Sequence, residues 1–125
     1  MNAMVIQETG PITEQRDPVV ETELPVPEPS NEQVRIKISA CGVCHTELDE
    51  IEGRTPPPKL PVVPGHQVVG VVDKLGPDAG KYSIGARVGV GWIYSACGKC
   101  SYCKTGRENL CPEFKATGRD ADGGY

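Results

Sequence analysis

The sequence has no block of basic residues: Lys and Arg number 13 against 17 Asp and Glu, for a formal net charge of −4. That balance argues against nucleic acid as a partner, and no phosphate-binding surface is advertised. No apolar run approaches membrane-spanning length, and residues 1–7 lack the positive start and apolar core of a signal peptide. A cytoplasmic protein with no membrane partner is therefore expected. Without a secretion signal, the six cysteines read as free thiols or metal ligands in preference to three disulfides. Long uninterrupted segments are also missing, because 15 Gly and 12 Pro punctuate the chain. They leave no room for long helices and favour a β-rich domain. No internal repeat, low-complexity tract or domain-separating linker occurs. At 125 residues one domain is expected, large enough to bury roughly two thirds of its unfolded surface.

What is present is a series of short β-type segments between turn signals. Residues 4–7 and 19–24 are β-branched and flanked by Gly10-Pro11, Asp17-Pro18 and Pro25, which predicts two modest strands. Residues 33–39 alternate Val34, Ile36 and Ile38 with Arg35 and Lys37, a strand with one buried and one wet face. Residues 45–52 contain no breaker and are acidic from the start, as a short helix prefers, and Gly53 ends them. The prolines of residues 55–64 predict an extended surface loop. Residues 67–75 and 87–90 supply two more strands around a turn at 76–80. Residues 118–124 form a turn, after which Tyr125 begins another strand. The fold expected is mainly β, a small, partly open β-barrel with one short helix.

Cysteine spacing carries the chemistry. Cys97, Cys100, Cys103 and Cys111 form C-x2-C-x2-C-x7-C, four thiols close enough in sequence to close a tetrahedral zinc site with sulfurs about 2.3 Å from the ion. An iron-sulfur cluster is the rival, since Cys111-Pro112 matches the ending of a C-x2-C-x2-C-x3-C-P run, but seven residues replace three before the last cysteine. Lys99, Lys104 and Arg107 either offset the charge of four thiolates or are solvated surface charge. Cys41-Gly42-Val43-Cys44 follows a strand and opens a helix, the setting of a thiol-disulfide redox motif, although the chain after Gly53 lacks the βαβ alternation such a fold needs. Cys44 and His66 can also be read as a thiolate and an imidazole from two loops, two of the three protein ligands of an open catalytic zinc. Taken singly, a histidine after a glycine is more often a hydrogen-bonded loop residue, and a buried cysteine is usually inert packing.

Four segments, A-C-G-V-C-H-T-E, P-G-H-Q-V-V-G, R-V-G-V-G-W and the four-cysteine loop, occur in the order and spacing of the zinc-dependent alcohol dehydrogenases. The chain resembles the N-terminal, GroES-like part of the catalytic domain in the medium-chain dehydrogenase/reductase superfamily, over essentially its whole length. The resemblance implies that Cys44 and His66 bind a catalytic zinc, while Cys97, Cys100, Cys103 and Cys111 hold a structural zinc in a lobe at about residues 92–118. It further implies that Thr46 bonds the alcohol and starts a proton relay, that His45 lies near the pyrophosphate of NAD or NADP, and that Trp92 lines the pocket, favouring small substrates. Three positions depart from the family pattern. Glu47 stands where an Asp usually orients the ligand histidine, Gln67 replaces a Glu after His66, and Asp49 falls where a His often passes the relay proton to solvent.

The implied reaction is zinc-assisted hydride transfer from an alcohol to NAD or NADP, giving an aldehyde or ketone. Neither a third catalytic cysteine nor a strand-G-x-G-x-x-G-helix unit is present. The expectation is therefore an N-terminal portion of a longer enzyme, inactive by itself, with homo-oligomerisation possible for the full-length protein. Two other functions remain open at this point: a zinc-binding module without catalysis, and a thiol-disulfide oxidoreductase using Cys41 and Cys44.

Overall fold

Among the described residues, turn residues cut the β-forming segments into seven short strands around one α-helix. The computed structural model describes residues 1–14 and 16–125. In chain order the elements are β1 (Asn2–Val5), β2 (Val20–Glu23), β3 (Val34–Gly42), α1 (His45–Glu52), β4 (Gln67–Leu75), β5 (Arg87–Val90), β6 (Ile93–Ser95) and β7 (Lys115–Ala116). They form three small antiparallel sheets, β1-β2, β3-β4-β5 and β6-β7. The arrangement is mainly β and open, with the strands not closed into a barrel.

The Val-rich β4 is the centre of the largest sheet, and the burial of Val68, Gly70 and Val72 follows its period-2 alternation. Gly70 is required by close approach: a Cβ there would lie 2.4 Å from the Lys37 carbonyl oxygen of β3. β3 runs to Gly42, past the expected end at residue 39, because pairing with β4 continues through Cys41↔Val68 and Gly42↔Gln67. Its apolar face is less covered than the alternation predicts. Two register shifts interrupt the pattern, β3 is an edge strand, and Ile38 remains 44% exposed.

Cys44 starts α1 by a reciprocal cap. Its Sγ accepts from Thr46 N–H at 3.4 Å, and its own N–H donates to Glu47 Oε2 at 2.7 Å. Gly53 ends the helix in the left-handed region at φ 80°, where its N–H reaches back to the carbonyls of Asp49 and Glu50.

The core sits where the chain ends and the proline-rich segment meet. Ala3, Val5 and Val63 form one buried cluster, joined by Leu24 and Tyr125, while Ile6, Ile51 and Val62 form another with Val19 and Leu60. The expectation of a surface loop over residues 55–64 is corrected here. Pro57 and residues 62–64 are buried, because Val62 pairs with Ile6 through hydrogen bonds of 2.9 and 3.1 Å. Proline content predicted extension, and the nonlocal partner decided burial. Tyr125 begins no strand within the chain, but its carbonyl accepts from Met4 N–H at 3.2 Å and its hydroxyl donates to the Gly42 carbonyl at 3.1 Å.

Candidate metal centres

Two groups of metal-ligating side chains assemble among the described residues. The first is Cys97, Cys100, Cys103 and Cys111, whose sulfurs all lie within 4.8 Å of one another. The hairpin β6-β7 positions them: Cys97 follows β6, two short 3-10 turns carry the chain back, and Cys111 precedes β7. Two sulfurs on a tetrahedral zinc are expected roughly 3.8 Å apart. Cys97 and Cys103 stand 3.9 Å apart, and Cys100 and Cys103 3.6 Å. These two separations are those of sulfurs sharing a tetrahedral ion.

Backbone N–H groups of Lys99 and Cys100 favour the Cys97 thiolate and lower its pKa to about 6. Desolvation and hydrogen bonding to its neighbours push Cys103 up to about 12. A loop of amides already aimed at sulfur thus favours thiolate at one corner of the cluster.

The second group is Cys44, Glu47 and His66. Cys44 Sγ lies 3.5 Å from His66 Nε2, against the roughly 3.6 Å expected for a sulfur and a nitrogen sharing a tetrahedral ion. On the other side of the ring, Glu47 Oε1 lies 2.9 Å from Nδ1. That is an ion-pair distance, though the ring N–H is not directed closely enough to complete a hydrogen bond. Glu47 and His66 are buried, and Cys44 is half-buried. Glu47 thus uses one oxygen to cap α1 and presents the other to the imidazole. Gly65 delivers His66 to this place: its φ is 98°, and a Cβ would lie 2.5 Å from the Tyr125 ring and 2.8 Å from Cys41 Sγ.

The other expected site residues fall around this pair. Thr46 is half-buried at the start of α1, and its N–H is tied to Cys44 Sγ. Trp92 meets His66 edge to face, with ring centroids 4.8 Å apart. His45 is exposed and lies 3.5 Å from Asp49. Asp49 itself is engaged by Arg54 at 2.5 Å. Gln67 is exposed at the start of β4, opposite Gly42. Cys41 is not one of the Cys44 group: its sulfur faces Gly65 and Gly124, and burial, with the charge of Glu47, pushes its thiol pKa up.

One residue escaped sequence reasoning. Glu50 is fully buried and both its carboxylate oxygens lack a hydrogen-bond partner. Burial, followed by the charge of Glu47, raises its pKa to about 7. The available signal was its place three residues after Glu47, hence on the same face of α1.

Fold and clusters together define a mainly β domain with a four-cysteine cluster able to bind a metal and a second candidate cluster at Cys44, Glu47 and His66. The model of the alcohol dehydrogenase GroES-like domain matches residues 30–125, and the chain belongs to that family. It is 45% identical over 111 residues to an alcohol dehydrogenase of Geobacillus stearothermophilus, a match spanning 88% of this chain and 33% of that protein. It is 40% identical over 130 residues to a probable alcohol dehydrogenase, AdhA, of Mycobacterium tuberculosis, spanning 100% of this chain and 37% of that one. Among solved structures, an NAD-dependent alcohol dehydrogenase superposes with a TM-score of 0.86 at 32% identity, over 98% of this chain and 35% of its own. The cobalt- and zinc-bound thermostable alcohol dehydrogenase of Pyrobaculum aerophilum gives 0.84 at 29% identity, over 100% of this chain and 37% of its own. The chain thus spans about a third of the length of these relatives.

Proposed function

We propose that this chain is the zinc-binding N-terminal part of an NAD(P)-dependent alcohol dehydrogenase. One observation carries the reading: a buried imidazole, backed by Glu47 at 2.9 Å, faces the Cys44 sulfur at 3.5 Å in a domain of the alcohol dehydrogenase GroES-like family. Cys44 and His66 supply two ligands of the catalytic zinc, and Cys97, Cys100, Cys103 and Cys111 hold a structural zinc in the lobe at about residues 92–118. The third catalytic ligand and the dinucleotide-binding unit belong to parts of the protein outside these residues. A zinc held by Cys44 and His66 would supply a Lewis acid that lets an alcohol release its proton near neutral pH.

The chain's own residues orient and exclude. Glu47 fixes the His66 ring so that Nε2, and not Nδ1, is offered to the metal. The Thr46 hydroxyl is assigned to hold the substrate oxygen and take its proton. Trp92 walls the pocket on the His66 side, which favours small alcohols. His45, exposed beside the first turn of α1, is assigned to the pyrophosphate of the cofactor. Asp49 is the candidate for passing the proton to solvent, and its contacts with His45 and Arg54 give it a polar, half-exposed exit. The redox reading of Cys41 and Cys44 is disfavoured because desolvation of the half-buried Cys41 thiol raises its pKa, which weakens it as a nucleophile.

The test is alcohol-dependent formation of NADH or NADPH by the protein of the whole reading frame. Activity lost in both Cys44→Ser and His66→Ala, with the four-cysteine metal retained, is the expected result. Full activity in either variant would reject the assignment. Metal bound at both sites with no turnover of any alcohol tested would favour the second reading, a non-catalytic zinc-binding module.

A further inference from the structure

Trp92 stands between the two clusters, and its contacts divide between them. Toward the incomplete site, its ring meets His66 at a 4.8 Å centroid separation and an interplanar angle of 73°. Toward the four-cysteine loop, it lies 6.2 Å from the ring of Phe114, whose N–H donates to the Cys111 carbonyl at 3.0 Å. The Arg119 guanidinium lies over the indole at 5.6 Å. The Trp92 carbonyl accepts from Thr117 N–H at 2.9 Å. Trp92 and Thr117 are paired at the open end of the β6-β7 hairpin, and Phe114 stands at its loop end. Trp92 immediately precedes β6 and Phe114 immediately precedes β7, with Cys97 and Cys111 inside the loop that joins them.

We propose that Trp92 is a positioning residue that couples the two metal sites. The proposal rests on the reading of Cys44 and His66 as metal ligands. An ion gathered by Cys97, Cys100, Cys103 and Cys111 closes the loop and fixes the loop end of the hairpin, where Phe114 is tied to Cys111. Phe114, packed against the indole, holds it in turn against the His66 imidazole. Glu47 alone restrains the ring at one atom, Nδ1, and leaves it free to swing about that contact. The indole removes that freedom and keeps Nε2 turned toward Cys44 Sγ. Coupling of this kind is reciprocal, so an ion at Cys44 and His66 tightens the four-cysteine site by the same factor. An edge-to-face aromatic pair sets the scale at about five-fold in affinity.

The test is a cobalt(II) titration of this chain and of its Trp92→Leu and Trp92→Phe variants, with four-thiolate and one-thiolate cobalt distinguished by absorption. It is paired with NMR of the His66 ring before and after one equivalent of zinc. All three proteins are expected to bind the first ion alike, which reports an intact loop. The second ion is expected to bind the Leu variant about five-fold more weakly than the wild type, and the Phe variant nearly as well as the wild type. Filling the loop is expected to shift the His66 ring resonances in the wild type and not in the Leu variant. An unchanged second affinity in the Leu variant, or a wild-type His66 ring indifferent to the first ion, overturns the coupling. Wild-type protein that takes up no second ion would instead remove the metal reading of Cys44 and His66. In that case, or if the Leu variant fails to hold the first ion, the wild-type His66 response decides the coupling alone.

Discussion

Replacing Glu50 with glutamine is expected to stabilise the domain at pH 8 and to change it little at pH 5. Glu50 is 0% exposed, its two oxygens have no hydrogen-bond partner, and burial together with Glu47 raises its pKa from 4.5 to about 7. The folded state therefore holds this proton more tightly than the unfolded chain does. Its contribution is fully present below about pH 4.5 and is lost as the pH rises through about 7. By pH 8 the native protein carries a buried, unpaired carboxylate, and a displacement of this size corresponds to about 3 kcal/mol. The amide of the Glu50→Gln variant does not ionise, so the stability difference between variant and wild type is expected to move by that amount in the variant's favour between pH 5 and pH 8. Urea unfolding of both proteins across this range measures it. Taking the difference cancels the pH-dependent release of metal from the cysteines, which is common to both. A difference that stays constant from pH 5 to pH 8 would refute the reasoning.

Three further outcomes follow from the geometry. Glu47→Gln keeps an acceptor for the Cys44 N–H but removes the charge facing His66 Nδ1, and about a ten-fold or greater loss of metal affinity at the second site is expected, read by cobalt absorption; undiminished binding would show that Glu47 does not orient the ring. Gly70→Ala places a Cβ 2.4 Å from the Lys37 carbonyl oxygen, so β3 and β4 must separate, and a loss of about 2 kcal/mol or more is expected in thermal unfolding; an unchanged melting temperature would contradict that contact. Cys111→Ser removes the buried sulfur of the four-cysteine set, and hydrogen exchange is expected to speed up at residues 92–118 while β3 and β4 stay protected; unchanged protection there would mean that the loop holds its shape without the metal.

Sequence reading reached furthest where the determinants are local. The limits of β4 and β5 and those of α1 match the expected ranges, because a Val-rich run between turn residues and a breaker-free acidic segment ended by glycine carry their own boundaries. The four cysteines gather because three of them follow one another on one loop with two residues between each. Nonlocal pairing set what was misjudged. β1 begins at Asn2 and ends at Val5, shifted from residues 4–7, because its register is fixed by β2 from Asn2↔Glu23 to Val5↔Val20. Burial of residues 62–64 depends on Ile6, which no local pattern names. The approach of Cys44 to His66 spans 22 residues and came from resemblance to a family, since spacing alone left both residues open to ordinary structural roles. Glu50 had no such guide, and an acidic residue on a short, acidic helix reads as solvated.

On the proposed function, this domain has one four-cysteine metal site complete in itself and a second at Cys44 and His66 that takes a further ligand. Zinc titration against a competing chelator, with free thiols counted at each step, tests it most directly. The expected result is one zinc held tightly, with protection of Cys97, Cys100, Cys103 and Cys111, and a second held far more weakly, with protection of Cys44. Two equally tight zincs per chain, or less than one zinc with all six thiols free, would contradict it.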